Sequence, residues 1–442
     1  MKYIKLSLII CIFIMLTGCS INNISLSRTG ELNVLIFSKS ELDYFSPLEK
    51  EIRKKLNIKL NFDYAIDEKN LKGDYWKEIK QSLDKKLSTG NYDLVMGLPS
   101  QYIDYLVENK KIISLEPFIK QDNMKISEYH QPTINISKKI GGGELYSLSP
   151  TFRTLFLILN EDIFNELDIN INKEVYTWEE IEEIAQKIHE QKDQVSYPIY
   201  PLSFGPSGKI GFFQDFLVLT KPKELMLTSN EQHTLYPEHS QWLEMYNLFV
   251  EMFKKYGIED ASDNEFFRGK VAMRVSYPNT FQMMRDDSFK ENTYKQFKIK
   301  VLPMPIFESQ SKMTYTTVDS HIAIADKSKN KEKAWKVLKY IMSEEFAQYL
   351  INNKQSIFNG DFVTYKSDNI LNAYRTKYPE INPHFIYRGE EGPYIRENIS
   401  YRNYIIYENI ISKNMYNILD GILSVEDGFN LIRKQYAEQM LN

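Results

Sequence analysis

Six histidines and two glycine-rich turns are the features of this sequence that could take part in catalysis. The six histidines are His130, His189, His233, His239, His321 and His384. No two of them have the His-Glu-x-x-His spacing of a zinc-protease helix. The turn 205–209 fails the nucleophile-elbow pattern because Lys209 stands where the last glycine is needed. The turn 141–144 lacks the Lys-Ser/Thr pair of a phosphate-binding loop, so none of these motifs supports an enzyme.

A metal site or a pair of catalytic carboxylates has only weak support. His233 and His239, with Glu238 beside them, form a loose cluster on a predicted loop. Carboxylates are plentiful, so a surface glycosidase stays open as an alternative, although spacing alone cannot identify its two acidic groups. The sequence therefore predicts no metal, no nucleotide and no other cofactor on this chain.

Cys19 is the residue whose chemistry is best defined, because a short secretion signal leads up to it. Lys2 and Lys5 form a basic start, and the apolar run 6–16 is too short to span a bilayer. Two small residues precede the thiol, which is the nucleophile that can carry a thioether-linked lipid. The pattern is similar to a bacterial lipoprotein signal, with residues 1–18 removed and Cys19 anchored in a membrane. An ordinary cleaved signal with a chance cysteine is the alternative.

The composition limits what the mature chain can do. The 442 residues, of which 43% are hydrophobic and 26% charged, suffice for a large core and two or three domains. The formal charge of −4 becomes −6 once Lys2 and Lys5 leave, which gives no basic surface for nucleic acid. Both cysteines, Cys11 and Cys19, lie at the N-terminus, so the mature body has no disulfide framework. The 30 Tyr and 25 Phe suit a sugar or peptide site or an ordinary core.

Alternating strands and helices at the start of the chain predict a parallel sheet. The predicted strands are 32–37, 58–64 and 92–97, and the predicted helices are 47–56, 74–88 and 100–109. Ligands of such sheets bind beyond the carboxyl ends of the strands. Ser38 and Ser100 occupy those ends, and either hydroxyl could donate to a solute. For Ser100, capping of its own helix is the alternative.

The rest of the chain carries clear helix starts and further strands. Ser46 is predicted to cap the first helix, with Pro47 at its first position. Thr177 and Glu180 form a capping box for a helix that runs to about Gln191. Helices are also predicted to begin at 160 and to cover 241–256, 331–350, 401–420 and 424–440, and further strands to cover 271–276 and 299–305.

Short motifs in a fixed order carry a family resemblance. Besides the signal ending at Cys19, they are YDLVM at 92–96, GELYSLSP at 143–150, LNEDIF at 159–164, YTWEE at 176–180, FRGKVAM at 267–273, VLPMP at 301–305, KAW at 333–335 and EEF at 344–346. Together they resemble the extracellular solute-binding proteins of family 1, the lipid-anchored carbohydrate receptors of ABC importers. The stretch 360–400, rich in Tyr, Asn and Arg, departs from that family's pattern.

The resemblance implies an α/β fold with two lobes joined by hinge crossovers, the periplasmic-binding-protein-like fold in its type II, maltose-binding-protein-like form. After a signal peptide at 1–18 and a tether at 19–30, lobe 1 would comprise 31–149 and 302–359, and lobe 2 would comprise 150–301 and 360–442. The cleft between the lobes would close over a solute, with no chemistry on it.

The resemblance also implies the partners of the chain. The solute would be a small molecule, a sugar or an oligosaccharide. As a monomer on the outer face of the cytoplasmic membrane, the receptor would deliver this solute to ABC transporter permease subunits. A lipoprotein that binds sugar or peptide for a sensor kinase is an alternative with the same sequence features.

Four predicted solute contacts lie in the middle of the chain. Arg153 is placed where the family's chain first crosses between the lobes, and it needs a solute, another anionic group or a structural carboxylate as partner. Phe204 is either a stacking platform or a core ring. Tyr277 and Asn279 follow the strand 271–276, where the family often has an aromatic contact, and replace the frequent Gly and Trp.

Three further contacts are predicted in the last third of the chain. Ser320 and His321 lie near the next crossover, and a buried structural histidine is the alternative for His321. Tyr401, Tyr404 and Tyr407 share one side of a helix, because their spacing is three residues. Tyr404 could reach the cleft, whereas a core stripe is the alternative for all three.

Overall fold

A computed structural model describes most of the chain. The described residues are 30–67, 69, 75–195, 200–204, 216, 219–220, 223, 225–229, 233–257, 264–277, 280, 296–307, 315–353, 362–388, 390–391 and 401–440. None of the helices in these ranges is apolar over a stretch long enough to cross a membrane. Cys19, Asn279 and the turn 205–209 lie outside the described residues.

Strands and helices alternate along most of the chain. The strands are β1 (Gly30–Ser38), β2 (Ile58–Ile66), β3 (Leu94–Leu98), β4 (Thr151–Phe152), β5 (Phe156–Asn160), β6 (Tyr200–Phe204), β7 (Val271–Ser276), β8 (Ile299–Pro303), β9 (Tyr315–Thr316), β10 (His321–Ile324), β11 (Phe362–Val363) and β12 (Glu390–Glu391). The first eight helices are α1 (Leu42–Leu56), α2 (Tyr75–Ser88), α3 (Ser100–Glu108), α4 (Glu116–Gln121), α5 (Gln131–Ile140), α6 (Glu161–Glu166), α7 (Trp178–Gln191) and α8 (His239–Tyr256). The later helices are α9 (Asn264–Phe267), α10 (Lys331–Ile341), α11 (Glu344–Asn352), α12 (Asp368–Lys377), α13 (Pro383–Ile386), α14 (Tyr401–Leu419) and α15 (Val425–Met440).

The first sheet has the strand order β10-β3-β1-β2. β1 pairs in parallel with β2 and β3, as predicted, and β10 runs antiparallel to β3. Because side chains alternate along a strand, Val34 and Ile36 pack on one face with Leu48 of α1, while Leu35 and Val95 fill the other. Burial on both faces explains why these strands read as nearly continuous apolar runs.

The second sheet has the strand order β6-β7-β5-β8. β6 and β7 are parallel, whereas β5 runs antiparallel to β7 and β8. Trp178 of α7 and Phe249 of α8 pack edge to face in the core on this sheet. The same core buries three tyrosines, since the Tyr236 hydroxyl lies 2.7 Å from that of Tyr246 and donates to Tyr407 at 3.2 Å. Part of the high tyrosine content therefore serves the core.

The chain passes between the two sheets at neighbouring places. β4, which leads into β5, pairs with β11, and β9, which leads towards β10, pairs with β12. Single backbone bridges at Leu148–Ile322 and Arg153–Thr317 join the same two stretches. We call this region the crossover.

The capping box at Thr177 is confirmed, because Thr177 accepts from the Glu180 amide at 3.2 Å and Glu180 accepts from the Thr177 amide at 3.0 Å. The cap predicted at Ser46 is wrong: α1 begins at Leu42, and Pro47 lies inside it. A proline there removes one helix hydrogen bond. Burial of the apolar face that includes Phe45, which is 3% exposed, offsets that loss.

The single helix predicted over 331–350 is two helices, α10 and α11. Ser343 separates them, because its hydroxyl accepts from the Phe346 amide at 3.2 Å and so starts a new helix. Both helices pack in the core of the first sheet, where Trp335 and Phe346 are buried.

The stretch that departs from the family pattern packs beside the crossover. Phe362, Tyr374 and Phe385 are buried in the same core cluster as Leu32 of β1. Tyr407 of α14 belongs instead to the core of the second sheet. Residues 362–387 and the two C-terminal helices therefore pack in different cores.

Candidate functional site

The carboxyl ends of the parallel strands in the first sheet meet at one edge. β1 ends at Ser38 and β3 at Leu98, and β10 begins beside them with His321 paired to Leu98. Ser100 opens α3 directly after this edge, and the half-buried Ser320 precedes β10. The four predicted contacts on this part of the chain therefore share one sheet edge.

A matching edge exists in the second sheet. β6 ends at Phe204 and β7 at Ser276, with Phe204 paired to Val275. β5 runs the other way and begins there, with Phe156 paired to Ser276. Phe204 and Tyr277 therefore lie where the chain enters this sheet from the crossover.

The crossover joins the two edges through one backbone pair. The Arg153 amide donates to the Thr317 carbonyl at 3.0 Å, and the Thr317 amide donates to the Arg153 carbonyl at 3.0 Å. A few residues lead from this pair to β10 on one side and to β5 on the other. We call the residues gathered here the crossover site: Ser38, Ser100, Arg153, Phe204, Tyr277, Asp319, Ser320 and His321.

Ser100 and His321 belong to one hydrogen-bonded chain. Ser100 Oγ donates to the Val318 carbonyl at 2.8 Å and lies 3.0 Å from His321 Nε2. Ser147 Oγ lies 3.0 Å from His321 Nδ1. Because the Ser100 proton is directed at a carbonyl, Nε2 carries the ring proton and Nδ1 accepts from Ser147. Ser100 can therefore accept a hydrogen bond from a solute hydroxyl, but its own proton is already used.

The capping alternative for Ser100 is wrong, because the N-cap of α3 is Pro99 and the Ser100 hydroxyl bonds elsewhere. His321 has 0% of its surface exposed, and burial lowers its pKa to about 3. The neutral ring donates a hydrogen bond to Ser100 from a fully buried position, as a structural histidine does. A direct solute contact for His321 stays a prediction.

Ser38 is also held by its neighbours. It is 3% exposed, its Oγ lies 2.7 Å from Ser40 Oγ, and it accepts from the Ser40 amide at 3.2 Å. Next to it, Lys39 donates to Asp67 at 2.7 Å, and this hydrogen bond lowers the pKa of the Asp67 carboxyl. A direct contact between Ser38 and a solute stays a prediction.

Arg153 has a carboxylate partner at the crossover. Its Nη1 atom lies 3.5 Å from Asp319 Oδ2, and the two side chains are 35% and 45% exposed. Sequence reasoning missed Asp319, although it required a partner for Arg153 and singled out the neighbouring Ser320. Combining those two observations would have pointed to Asp319, the carboxylate beside Ser320.

The remaining candidates lie partly outside what the structure describes. Only the backbone of Phe204 and of Tyr404 is described, at the end of β6 and in α14. Tyr277 is half-buried and packs against the core of the second sheet. Tyr407, on the same helix as Tyr404, is 1% exposed and is a core residue. Solute contacts for Phe204, Tyr277 and Tyr404, and for Asn279, stay predictions.

Two other places in the described residues bear on a binding site. Within the described residues, no group of three or more His, Cys, Asp or Glu side chains could hold a metal ion, and His239 Nε2 lies 3.4 Å from Asn430 Oδ1. A cavity of about 310 Å³ lies between Asn165, Asp168 and Lys300, at the opposite end of β5. Its position separates it from the crossover site.

Comparison with solved structures identifies the fold. A sugar transporter protein from Rhizobium etli in an open conformation is 15% identical, covers 92% of this chain and 98% of its own, and has a TM-score of 0.69. The sugar-binding protein MalE from Xanthomonas citri is 14% identical with a TM-score of 0.67, covering 93% of this chain and 97% of its own. A solute-binding protein from Agrobacterium vitis with bound D-mannitol is 14% identical with a TM-score of 0.61, covering 93% and 98%. The predicted two-lobed, maltose-binding-protein-like α/β fold is confirmed.

A family model agrees with this likeness in fold. The model of the bacterial extracellular solute-binding proteins matches residues 39–348, which is more than half of the chain. The matched range contains every described member of the crossover site except Ser38, which directly precedes it. The chain therefore belongs to the bacterial extracellular solute-binding protein family.

Proposed function

We propose that this protein is the receptor of an ABC importer for a sugar, an oligosaccharide or a polyol. The observation that carries the proposal is the crossover site, where the strand ends of two sheets present hydroxyl, guanidinium and carboxylate groups around one backbone pair. The structural neighbours support the class of solute, because they include a sugar transporter, a sugar-binding protein and a protein with bound D-mannitol.

Capture works through closure of the two lobes over the solute. A solute hydroxyl that enters the cleft leaves water and must find a partner there. Ser100 supplies an acceptor, Arg153 supplies donors and Asp319 supplies acceptors, while Phe204 and Tyr277 offer aromatic faces to the apolar side of a sugar ring. The solute shifts the lobes towards closure only by its preference for the closed state, and the closed form then docks on the permease subunits.

The lobes are proposed with two changes from the sequence-based boundaries. Pairing of β8 with β5 and burial of Leu302 and Phe307 in the core of the second sheet support the transfer of 302–307 to lobe 2. Two backbone hydrogen bonds of 2.8 Å, from the His130 amide to the Thr364 carbonyl and from the Lys366 amide to the Glu128 carbonyl, support the transfer of 362–387 to lobe 1. Lobe 1 then comprises 31–149 and 308–387, and lobe 2 comprises 150–307 and 388–442. The third passage of the chain between the lobes then lies after residue 387.

A solute screen tests this function. The mature domain without its lipid is melted in the presence of mono- and oligosaccharides, polyols and short peptides. A solute that binds only the folded state adds about 2.7 kcal/mol of stability at a hundredfold excess over its dissociation constant. One sugar or polyol class should raise the melting temperature and be recovered unchanged. A cleaved sugar would identify a glycosidase, and a shift by peptides alone would contradict the proposed solute class.

The lipid anchor is proposed at Cys19, so Cys19→Ala should abolish labelling by an alkyne fatty acid fed to the producing cells. The reason is that the thiol is the attachment point of a thioether-linked lipid, and several acyl chains are needed for durable membrane binding. In-gel fluorescence after click chemistry measures the labelling. Cys11→Ala is the matched control, since Cys11 lies inside the signal and should leave labelling unchanged. No labelling of the unaltered protein would indicate an ordinary cleaved signal, and labelling that persists in the Cys19 variant would place the lipid on another residue.

A further inference from the structure

The backbone around Asp319 is fixed from both sides. Thr317 is paired to Arg153 through two backbone hydrogen bonds of 3.0 Å, and Val318 accepts from Ser100 at 2.8 Å. His321 begins a strand of the first sheet. The backbone that carries Asp319 is therefore fixed, and the Asp319 carboxylate lies 3.5 Å from the Arg153 guanidinium and is 45% exposed.

A second basic side chain near this edge is paired in the same way. Lys39 follows Ser38 at the end of β1 and lies 2.7 Å from the Asp67 carboxylate, which is only 13% exposed. Lys39 and Arg153 therefore each have a carboxylate neighbour. These two cations therefore have carboxylate neighbours before any solute arrives.

We propose that Asp319 sets the charge preference of the crossover site: paired with Arg153, it favours uncharged, hydroxyl-rich solutes and rejects solutes that carry a carboxylate. This inference rests on the proposed function and specifies the solute class further. Asp319 was not among the residues that sequence reasoning selected.

The chemistry of the pair matches a diol. A guanidinium has N–H groups in a rigid fork and only donates, whereas a carboxylate only accepts. Two neighbouring hydroxyls of a sugar can accept from Arg153 and donate to Asp319, so both ions gain partners. A solute carboxylate would pair with Arg153 but would then lie close to Asp319, and like charges in a closed, poorly hydrated cleft repel strongly.

Matched neutral and acidic sugars test the proposal. Titration calorimetry at pH 7 compares D-glucose with D-glucuronate, D-galactose with D-galacturonate, and maltitol with maltobionate. The unaltered protein should bind the neutral member of a recognised pair at least about tenfold tighter than the acid. Asp319→Asn should move the ratio of the two dissociation constants towards the acid by about tenfold, because it removes the negative charge that lies 3.5 Å from the Arg153 guanidinium. Arg153→Gln should move the ratio the other way.

A control variant separates this role from a general change of charge. Asp326→Asn removes the same charge from an exposed aspartate in the turn after β10 and should leave the ratio unchanged. Melting curves of all variants establish that they fold. Asp319 is half-exposed and asparagine has nearly its shape, so the Asp319 variant should melt close to the unaltered protein.

The outcomes distinguish this inference from the proposed function. Tighter binding of an acidic sugar by the unaltered protein would overturn the inference but leave the receptor function in place. An unchanged ratio in Asp319→Asn would do the same. Binding of neither member of any pair, together with no sugar or polyol that raises the melting temperature in the solute screen, would overturn both proposals.

Discussion

Lowering the pH from 7 to 5 is expected to reduce the free energy of unfolding by about 4 kcal/mol. The cause is a pair of buried histidines, His130 and His321, whose pKa values burial lowers to about 3. In the unfolded chain a histidine titrates near pH 6.5, so below that pH the unfolded state binds protons that the folded state rejects. Above about pH 6.5 the two histidines therefore do not reduce the free energy of unfolding. As the pH falls from 6.5 towards 3, they reduce it progressively, by about 2 kcal/mol per histidine at pH 5.

Urea unfolding at pH 7 and pH 5 measures this loss. His321→Gln and His130→Gln should each reduce the difference between the two pH values by about 2 kcal/mol, because glutamine does not titrate. His384→Gln is the control, since His384 is exposed and should leave the pH dependence as it is. The carboxylates do not obscure the result, because most of them stay ionised at pH 5. A pH dependence unchanged by both buried substitutions would contradict this account.

The neutrality of His321 also matters for the site. At pH 7 its ring donates from Nε2 towards Ser100 and accepts at Nδ1 from Ser147. Protonation would place a second donor at Nδ1, opposite the Ser147 hydroxyl, and a charge where the residue is fully buried. Because the folded protein protonates this ring only near pH 3, solute binding through Ser100 should stay constant between pH 7 and pH 5 and weaken as the pH approaches 3.

The three parallel strands of the first sheet and the positions of Ser38 and Ser100 at their ends could be predicted from sequence, because local signals define them. The runs around Val34 and Val95 are apolar on both faces, as buried parallel strands require. The rule that ligands bind beyond the carboxyl ends of parallel strands then leads directly to Ser38 and Ser100. The capping box at Thr177 is equally local, since both of its hydrogen bonds lie within four residues.

The rest depends on contacts between distant parts of the chain. The pairing of Arg153 with Asp319 and of Ser100 with Val318 arises only when the crossover brings these segments together. Residues 362–387 have no family pattern to place them, and only their pairing with β4 and their hydrogen bonds to Glu128 and His130 show their position. Pro47 inside α1 is a case in which burial overrides a local helix signal.

Phe152→Ala is expected to reduce the free energy of unfolding by about 3–5 kcal/mol, because it opens a cavity at the crossover. The ring is 1% exposed and lies in β4, opposite Phe362. It stacks on the His130 ring with centroids 4.2 Å apart and lies 5.8 Å from the Tyr387 ring. Tyr387 donates from its hydroxyl to the Val363 carbonyl at 2.8 Å, so the surrounding backbone is tied in place and cannot collapse into the cavity.

Urea unfolding of this variant is compared with that of Phe118→Ala, which removes a half-buried ring stacked on Trp335 and should cost clearly less. Combining Phe152→Ala with His130→Gln isolates the contact between the two rings, for which a coupling of about 0.5–1.5 kcal/mol is expected. A loss below about 1 kcal/mol for Phe152→Ala would mean that the crossover does not depend on this ring. The expected large loss would mean that the segment leading to Arg153 is held in place by packing of the Phe152 ring.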